Sequence, residues 1–104
     1  MKMKTMAYDS KADAAYAEGF PDMVFRTVQI NSDINVDLTA SGRVAGIEIL
    51  NAKSILSKAL GTRLSSTEMD AIEYEIEEKA GIYLHVRRDQ RQASLVLPDR
   101  ILPA

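Results

Sequence analysis

The sequence predicts an α+β domain: an N-terminal antiparallel β-meander packed against two helices, with a C-terminal β-hairpin. Three observations carry that prediction. Residues 34–38, INVDL, and 44–50, VAGIEIL, contain apolar residues at alternate positions, the period of a half-buried strand. Residues 52–60, AKSILSKAL, and then 66–80 carry theirs at steps of three and four, the period of a helix. Residues 82–88, IYLHVRR, and 92–98, QASLVLP, return to strand character around a polar turn. The 104 residues are read as one domain, with a meander over 3–53 and a helical and hairpin extension over 54–104 packed on it.

Residues 3–8, MKTMAY, are read as a short strand, followed by a turn at Tyr8-Asp9-Ser10-Lys11 in which Asp9 accepts backbone N–H groups ahead of it. Residues 12–20 stay open between two readings: their alanines favour helix, their position between strands favours strand. Phe20-Pro21-Asp22 punctuates the chain, and 23–30, MVFRTVQI, is read as a strand reversing at Asn31-Ser32-Asp33.

The reversal at residues 39–42 admits two registers. A three-residue loop sets Thr39 opposite Arg43, so that partner numbers sum to 82 and Asn35 shares a face with Ala45 and Ile47. A four-residue loop makes them sum to 81 and gathers Ile34, Val36, Leu38, Ala45, Ile47 and Ile49 on one side. A one-residue slip exchanges the two faces, so burial selects the second register. Gly42 supplies the positive φ near the end of that loop.

Helix 52–60 stops at Gly61. For the second helix, Ser65-x-x-Glu68 forms a capping box flanked by the staple residues Leu64 and Met69. Met69, Ile72, Ile76 and Ala80 make its buried stripe, and Gly81 stands at the C′ position. The last two strands turn at Arg88-Asp89-Gln90-Arg91.

Composition removes several function classes. Without cysteine there are no disulfides, thiolate nucleophiles or cysteine zinc sites, as suits the cytoplasm. No apolar run approaches the ~20 residues that span a bilayer, and the N-terminus lacks a signal-peptide core. A net charge of −2 disfavours nucleic acid as partner. The acidic run Asp33-x-Asn35-x-Asp37 is no calcium loop: Leu38 and Val44 occupy the positions where an EF-hand needs Gly and Glu. On a strand those three side chains spread over about 13 Å. In the register chosen, Asp33 faces Glu48 at the open end of the hairpin, a solvated pair rather than an acid–base site. The lone His85 sits on a polar strand face, and no serine lies in a nucleophile elbow. No catalytic, cofactor or metal residue is assigned. Charge is segregated: acids crowd 68–78, and Arg87, Arg88 and Arg91 follow. Glu73, Glu77, Arg87, Arg88 and Arg91 are therefore the candidate interaction surface.

The motif Tyr8-Asp9-x-x-Ala12-Asp13-Ala14-x-Tyr16, then Asn35-Val36-Asp37 and Ser41-Gly42-Arg43-Val44-x-Gly46-Ile47-Glu48-Ile49-Leu50-x-Ala52, resembles the small prokaryotic family named domain of unknown function 2283. The resemblance covers about residues 3–53. It implies no activity, cofactor or catalytic residue. Some members are encoded beside small toxin-like proteins, which implies a partner-binding role. Where the family carries larger aliphatic residues this chain has Ala15 and Ala17, leaving a thinner core for the second half to cover.

The expected function is a non-catalytic protein-interaction module, accessory or antitoxin-like, that self-associates as a homodimer through an edge strand or the C-terminal hairpin. The alternative is a small-ligand binder or minor enzyme whose cleft forms at a dimer interface from Asp33, Glu48, His85 or Arg87.

Overall fold

The computed structural model describes residues 3–98 and is built mainly from strands, which corrects the α+β prediction. Two antiparallel sheets face each other. The first has five strands: β2 (Ala7–Asp9), β3 (Ala14–Glu18), β4 (Arg26–Gln29), β5 (Ile34–Leu38) and β6 (Val44–Leu50), in spatial order β2-β3-β6-β5-β4. The second has four: β1 (Lys4–Thr5), β7 (Glu73–Glu78), β8 (Ile82–Arg88) and β9 (Arg91–Leu97), in order β1-β7-β8-β9. Only α1 (Ala52–Leu60) and the single turn α2 (Ser66–Met69) are helical. Residues 12–20 resolve to strand over most of their length.

The second predicted helix fails for a physical reason. Its cap forms as ordinary cap chemistry requires: Ser65 Oγ accepts from Glu68 N and Glu68 Oε1 accepts from Ser65 N. That box starts one turn, which ends at Met69. From Glu73 the chain reads E-Y-E-I-E, a period of two that the helical spacing of Ile72 and Ile76 conceals. Paired with β8, this segment buries Tyr74 and turns Glu73, Glu75 and Glu77 towards Arg87, His85 and Tyr83. An isolated helix there would leave Tyr74 and the inner face of β8 uncovered. Gly81, expected at a helix C′, instead lies with φ 140° in the turn from β7 to β8, where Lys79 N donates to Gly81 O.

The β5–β6 hairpin reverses through three residues, with Thr39 N donating to Arg43 O and Gly42 N to Thr39 O. This is the register that the burial argument had rejected. A bulge then admits one extra residue, Ala45, between the pairs Leu38↔Val44 and Asp37↔Gly46. Beyond it partner numbers sum to 83, as in Val36↔Ile47 and Asn35↔Glu48, rather than the expected 81. A shift of two residues keeps every side chain on the same face, so the expected apolar face survives a wrong register. Gly42 takes φ 86°.

One buried cluster runs between the sheets from Met6 to Leu97. Ala15 and Ala17 are buried beside Ile47 and Ile49, and β3 is small-sided enough for α1 and β7 to approach it. Leu56 and Leu60 of α1 enter the same cluster. Met6, buried between β1 and β2, is where the chain passes from one sheet to the other; its N–H donates to Ile72 O.

Candidate functional site: two polar sheet faces and an apolar loop

Strand order places the loop that matters here. β3 lies beside β6, yet the next strand in sequence, β4, is at the far edge. Residues 19–25 must therefore cross the end of the β5–β6 hairpin. Their backbone is pinned on the way: Gly19 N to Ala45 O, Phe20 N to Val44 O and Phe25 N to Leu38 O. With the backbone facing the sheet, side chains point outward. Met23 is 83 % exposed, Val24 51 % and Phe25 70 %. Arg43 covers Phe20, its guanidinium carbon 4.3 Å from the ring centroid. Three consecutive exposed apolar residues beside the open edge of β4 form the kind of patch that marks a contact surface.

The outer face of the five-stranded sheet carries Asp33, Asp37 and Glu48. Each is already engaged. Asp37 accepts from Tyr16 Oη at 2.7 Å and from Thr27 Oγ1. Glu48 accepts from Asn35 Nδ2 at 3.0 Å, and Asp33 from Asn51 Nδ2 at 2.8 Å. Asp33 and Glu48, expected to face each other, do not: the bulge sets Asn35 opposite Glu48. The Tyr16 ring lies across Gly46, where a Cβ would overlap its hydroxyl and ring carbons. Burial, then the hydrogen bond to Asp37 and its charge, raise the Tyr16 phenol well above its ordinary value of 10.0. Tyr8 donates to Asp13 at 2.8 Å, and the same Asp13 oxygen accepts from Lys53 N at the start of α1. The hydrogen bond to Asp13 is the main cause raising the Tyr8 phenol. The motif residues thus hold turns, a helix start and an aromatic over a glycine.

The outer face of the four-stranded sheet gathers three of the candidate interaction residues, Glu73, Glu77 and Arg87, and pairs them across strands within one chain; Arg88 and Arg91 lie in phase with the inward residues and reach α2 and α1. Arg87 reaches Glu73 at 2.9 Å. His85 Nε2 contacts Glu77 at 2.8 Å, its Nδ1 contacts Ser94 Oγ at 2.7 Å, and its ring stacks on Tyr83. Arg88 lies 3.8 Å from Glu68. Arg91 donates to the carbonyls of Leu60 and Gly61 at the end of α1 rather than to an acid. Ser94, His85 and Glu77 follow the order of a hydrolytic relay. With Glu77 ionised, Nε2 carries the proton and Ser94 donates to Nδ1. The relay lacks an oxyanion hole: sheet amides lie in the plane of the sheet, while Ser94 Oγ stands above it. Chemically this row can orient a hydroxyl; the nearby cation, Arg87, lines the same cleft but is paired with Glu73. Among the described residues, no three His, Asp or Glu side chains converge as metal ligands do.

Residues 5–53 match the family described as protein of unknown function, DUF2283. The DUF2283 match takes in β2 to β6 and the start of α1, just under half of the chain, and so includes the apolar loop but not the four-stranded sheet's last three strands. No curated protein and no solved structure matches the chain. Among the described residues, no helix is long and apolar enough to cross a membrane.

Met23-Val24-Phe25 has strand composition, so the sequence alone places it in a strand over 23–30. The strand begins only at Arg26. Pro21 and Asp22, just upstream, were the available signal that the chain was still in a connection.

Proposed function

We propose that this protein is a non-catalytic protein-interaction module, accessory or antitoxin-like in role and cytoplasmic, that binds its partner through the loop of Phe20, Met23, Val24 and Phe25. The observation that carries the reading is the exposure of Met23, Val24 and Phe25 in sequence. Scattered surface hydrophobics are ordinary, but a contiguous group at an open sheet edge is an association surface. The engagement of Asp33, Asp37 and Glu48 on one sheet face and of Glu73 and Glu77 on the other supports the non-catalytic part.

Capture with Met23→Ser/Phe25→Ser beside the unaltered protein tests it. Mass spectrometry of the native cell extract should identify a protein retained by the unaltered chain and lost by the double variant. Identical retention by both refutes the loop as the contact.

Self-association belongs to the same reading. Edge strand β9 is seven residues long, and its outward side chains Gln92, Ser94 and Val96 carry no charge. A two-fold antiparallel pairing about Ser94 would join two copies without opposing like charges. Light scattering at tens of micromolar should give a dimer mass; a monomer ends this part of the proposal.

A further inference from the structure

A second surface, away from the loop, is defined by its charge. Most arginines of the described residues are occupied. Arg43 pairs with Glu78, Arg87 with Glu73 and Arg88 with Glu68, and Arg91 holds the carbonyls at the end of α1. Lys53, Lys58 and Arg63, like Lys4, Lys11, Arg26 and Lys79, have no carboxylate of the described residues within ion-pair distance, but these three stand together. All three line one cleft of about 940 Å³ between α1 and the segment Gly61–Leu64. The site is a shallow depression open to solvent, suited to a charged ligand more than to an apolar one.

The walls suit an anion. Ser54 and Thr62, which also line the cleft, make no side-chain hydrogen bond among the described residues and can donate. The single acid present is Asp13. Its Oδ1 is already held by the Tyr8 hydroxyl at 2.8 Å and the Lys53 amide at 3.0 Å, which blunts its repulsion. The Arg91 guanidinium, bound to the Gly61 carbonyl at 3.1 Å, brings a further positive charge to the rim. The frame is fixed at both ends. Asp13 ties down the start of α1, and its end closes through Gly61 N to Lys58 O and Thr62 N to Ser57 O. Below, Leu64 N donates to Ser57 Oγ. Cations on a fixed frame bind with little ordering cost.

Spacing selects the class of ligand. Lys53 and Lys58 are five residues apart on α1, about 7.5 Å along its axis. They also stand about 140° apart around the axis, so their ammoniums approach the site from different sides, and Arg63 adds a third cation past the helix end. Three cations match the charge of two linked phosphates better than that of one. We infer that the cleft formed by Lys53, Lys58 and Arg63 binds a small ligand carrying two or more linked phosphates. Lysine ammoniums serve as point charges, the Arg63 fork takes two oxygens, and the hydroxyls complete the shell.

Inorganic pyrophosphate is the probe, titrated calorimetrically into the full chain against sulfate at matched ionic strength. Saturable binding in the micromolar to low-millimolar range is expected, with a melting midpoint that rises as pyrophosphate is added. Lys53→Gln/Lys58→Gln/Arg63→Gln should weaken it at least tenfold with an unchanged circular dichroism spectrum. Lys4→Gln/Lys11→Gln/Lys79→Gln, which removes the same charge elsewhere, should leave it intact. Three results overturn the inference: no saturable heat, equal response to sulfate, or equal loss in both triple variants. A single-stranded oligonucleotide that binds more tightly per phosphate than pyrophosphate would overturn the small-ligand assignment.

Discussion

Replacing Gly46 with Ala tests the packing of the family-matching half of the chain, because only the absence of a side chain there lets Tyr16 reach Asp37. A Cβ at position 46 overlaps the Tyr16 hydroxyl and ring. The ring must swing away, breaking the 2.7 Å bond to Asp37 Oδ2. A hydrogen bond to a charged group contributes about 1.5–3 kcal/mol. Releasing part of a half-buried ring, on the order of 40 Å² of apolar surface, adds about 1 kcal/mol. Two effects oppose the loss. Asp37 keeps the Thr27 hydroxyl, so it is not orphaned. Alanine also orders a strand better than glycine by roughly 0.5–1 kcal/mol. The net expectation is destabilisation by about 2 kcal/mol, or a melting temperature lower by roughly 8–16 °C for a domain of this size. Urea unfolding followed by far-ultraviolet circular dichroism measures it, the chain having no tryptophan. The cycle with Tyr16→Ala isolates the cause. In that background Gly46→Ala should be neutral or stabilising by about 0.5 kcal/mol. Equal destabilisation in both backgrounds would show that the glycine is needed for some reason other than the tyrosine, and the argument fails.

Four further outcomes are expected. Gly42→Val, at φ 86°, should lower stability by more than about 1 kcal/mol in the same urea assay, since a β-branched residue resists that conformation. Ser65→Ala removes the acceptor for Glu68 N and should lower stability by about 1 kcal/mol. Tyr8, Tyr16 and Tyr74 all have phenols raised above 10.0, so their neutral forms favour the folded state. The contribution is complete below that value and is lost as pH climbs above it; melting temperature should fall in the alkaline range, less steeply in Tyr16→Phe. Met23→Ser and Phe25→Ser, at exposed positions, should each leave the urea midpoint within about 0.5 kcal/mol of the unaltered protein.

What could be read from the sequence was local, and what could not was pairing. The position of the reversal at Gly42, the capping box at Ser65 and Glu68, and α1 each depend on residues within one turn of each other; the length of that reversal, three residues and a bulge instead of the four expected, does not. The two errors of consequence concern partners distant in the chain. Residues 73–78 satisfy a helical stripe through Ile76 and an alternating one through Tyr74 and Ile76 at once. Glutamate favours helix intrinsically, which tips a local reading towards the wrong answer. The decision belongs to β8, which supplies Arg87 and His85 opposite the acids and Val86 and Leu84 opposite the apolar residues. The complementarity is visible as an acidic block followed by a basic one, which reads as a solvated acidic face beside a basic turn or as two surfaces that meet between molecules. They meet across one ladder instead. Much of the charge that suggested an interface is consumed inside the fold, and the search for a partner moves to what the fold leaves unspent: the exposed run Met23-Val24-Phe25 and the unpaired cations Lys53, Lys58 and Arg63.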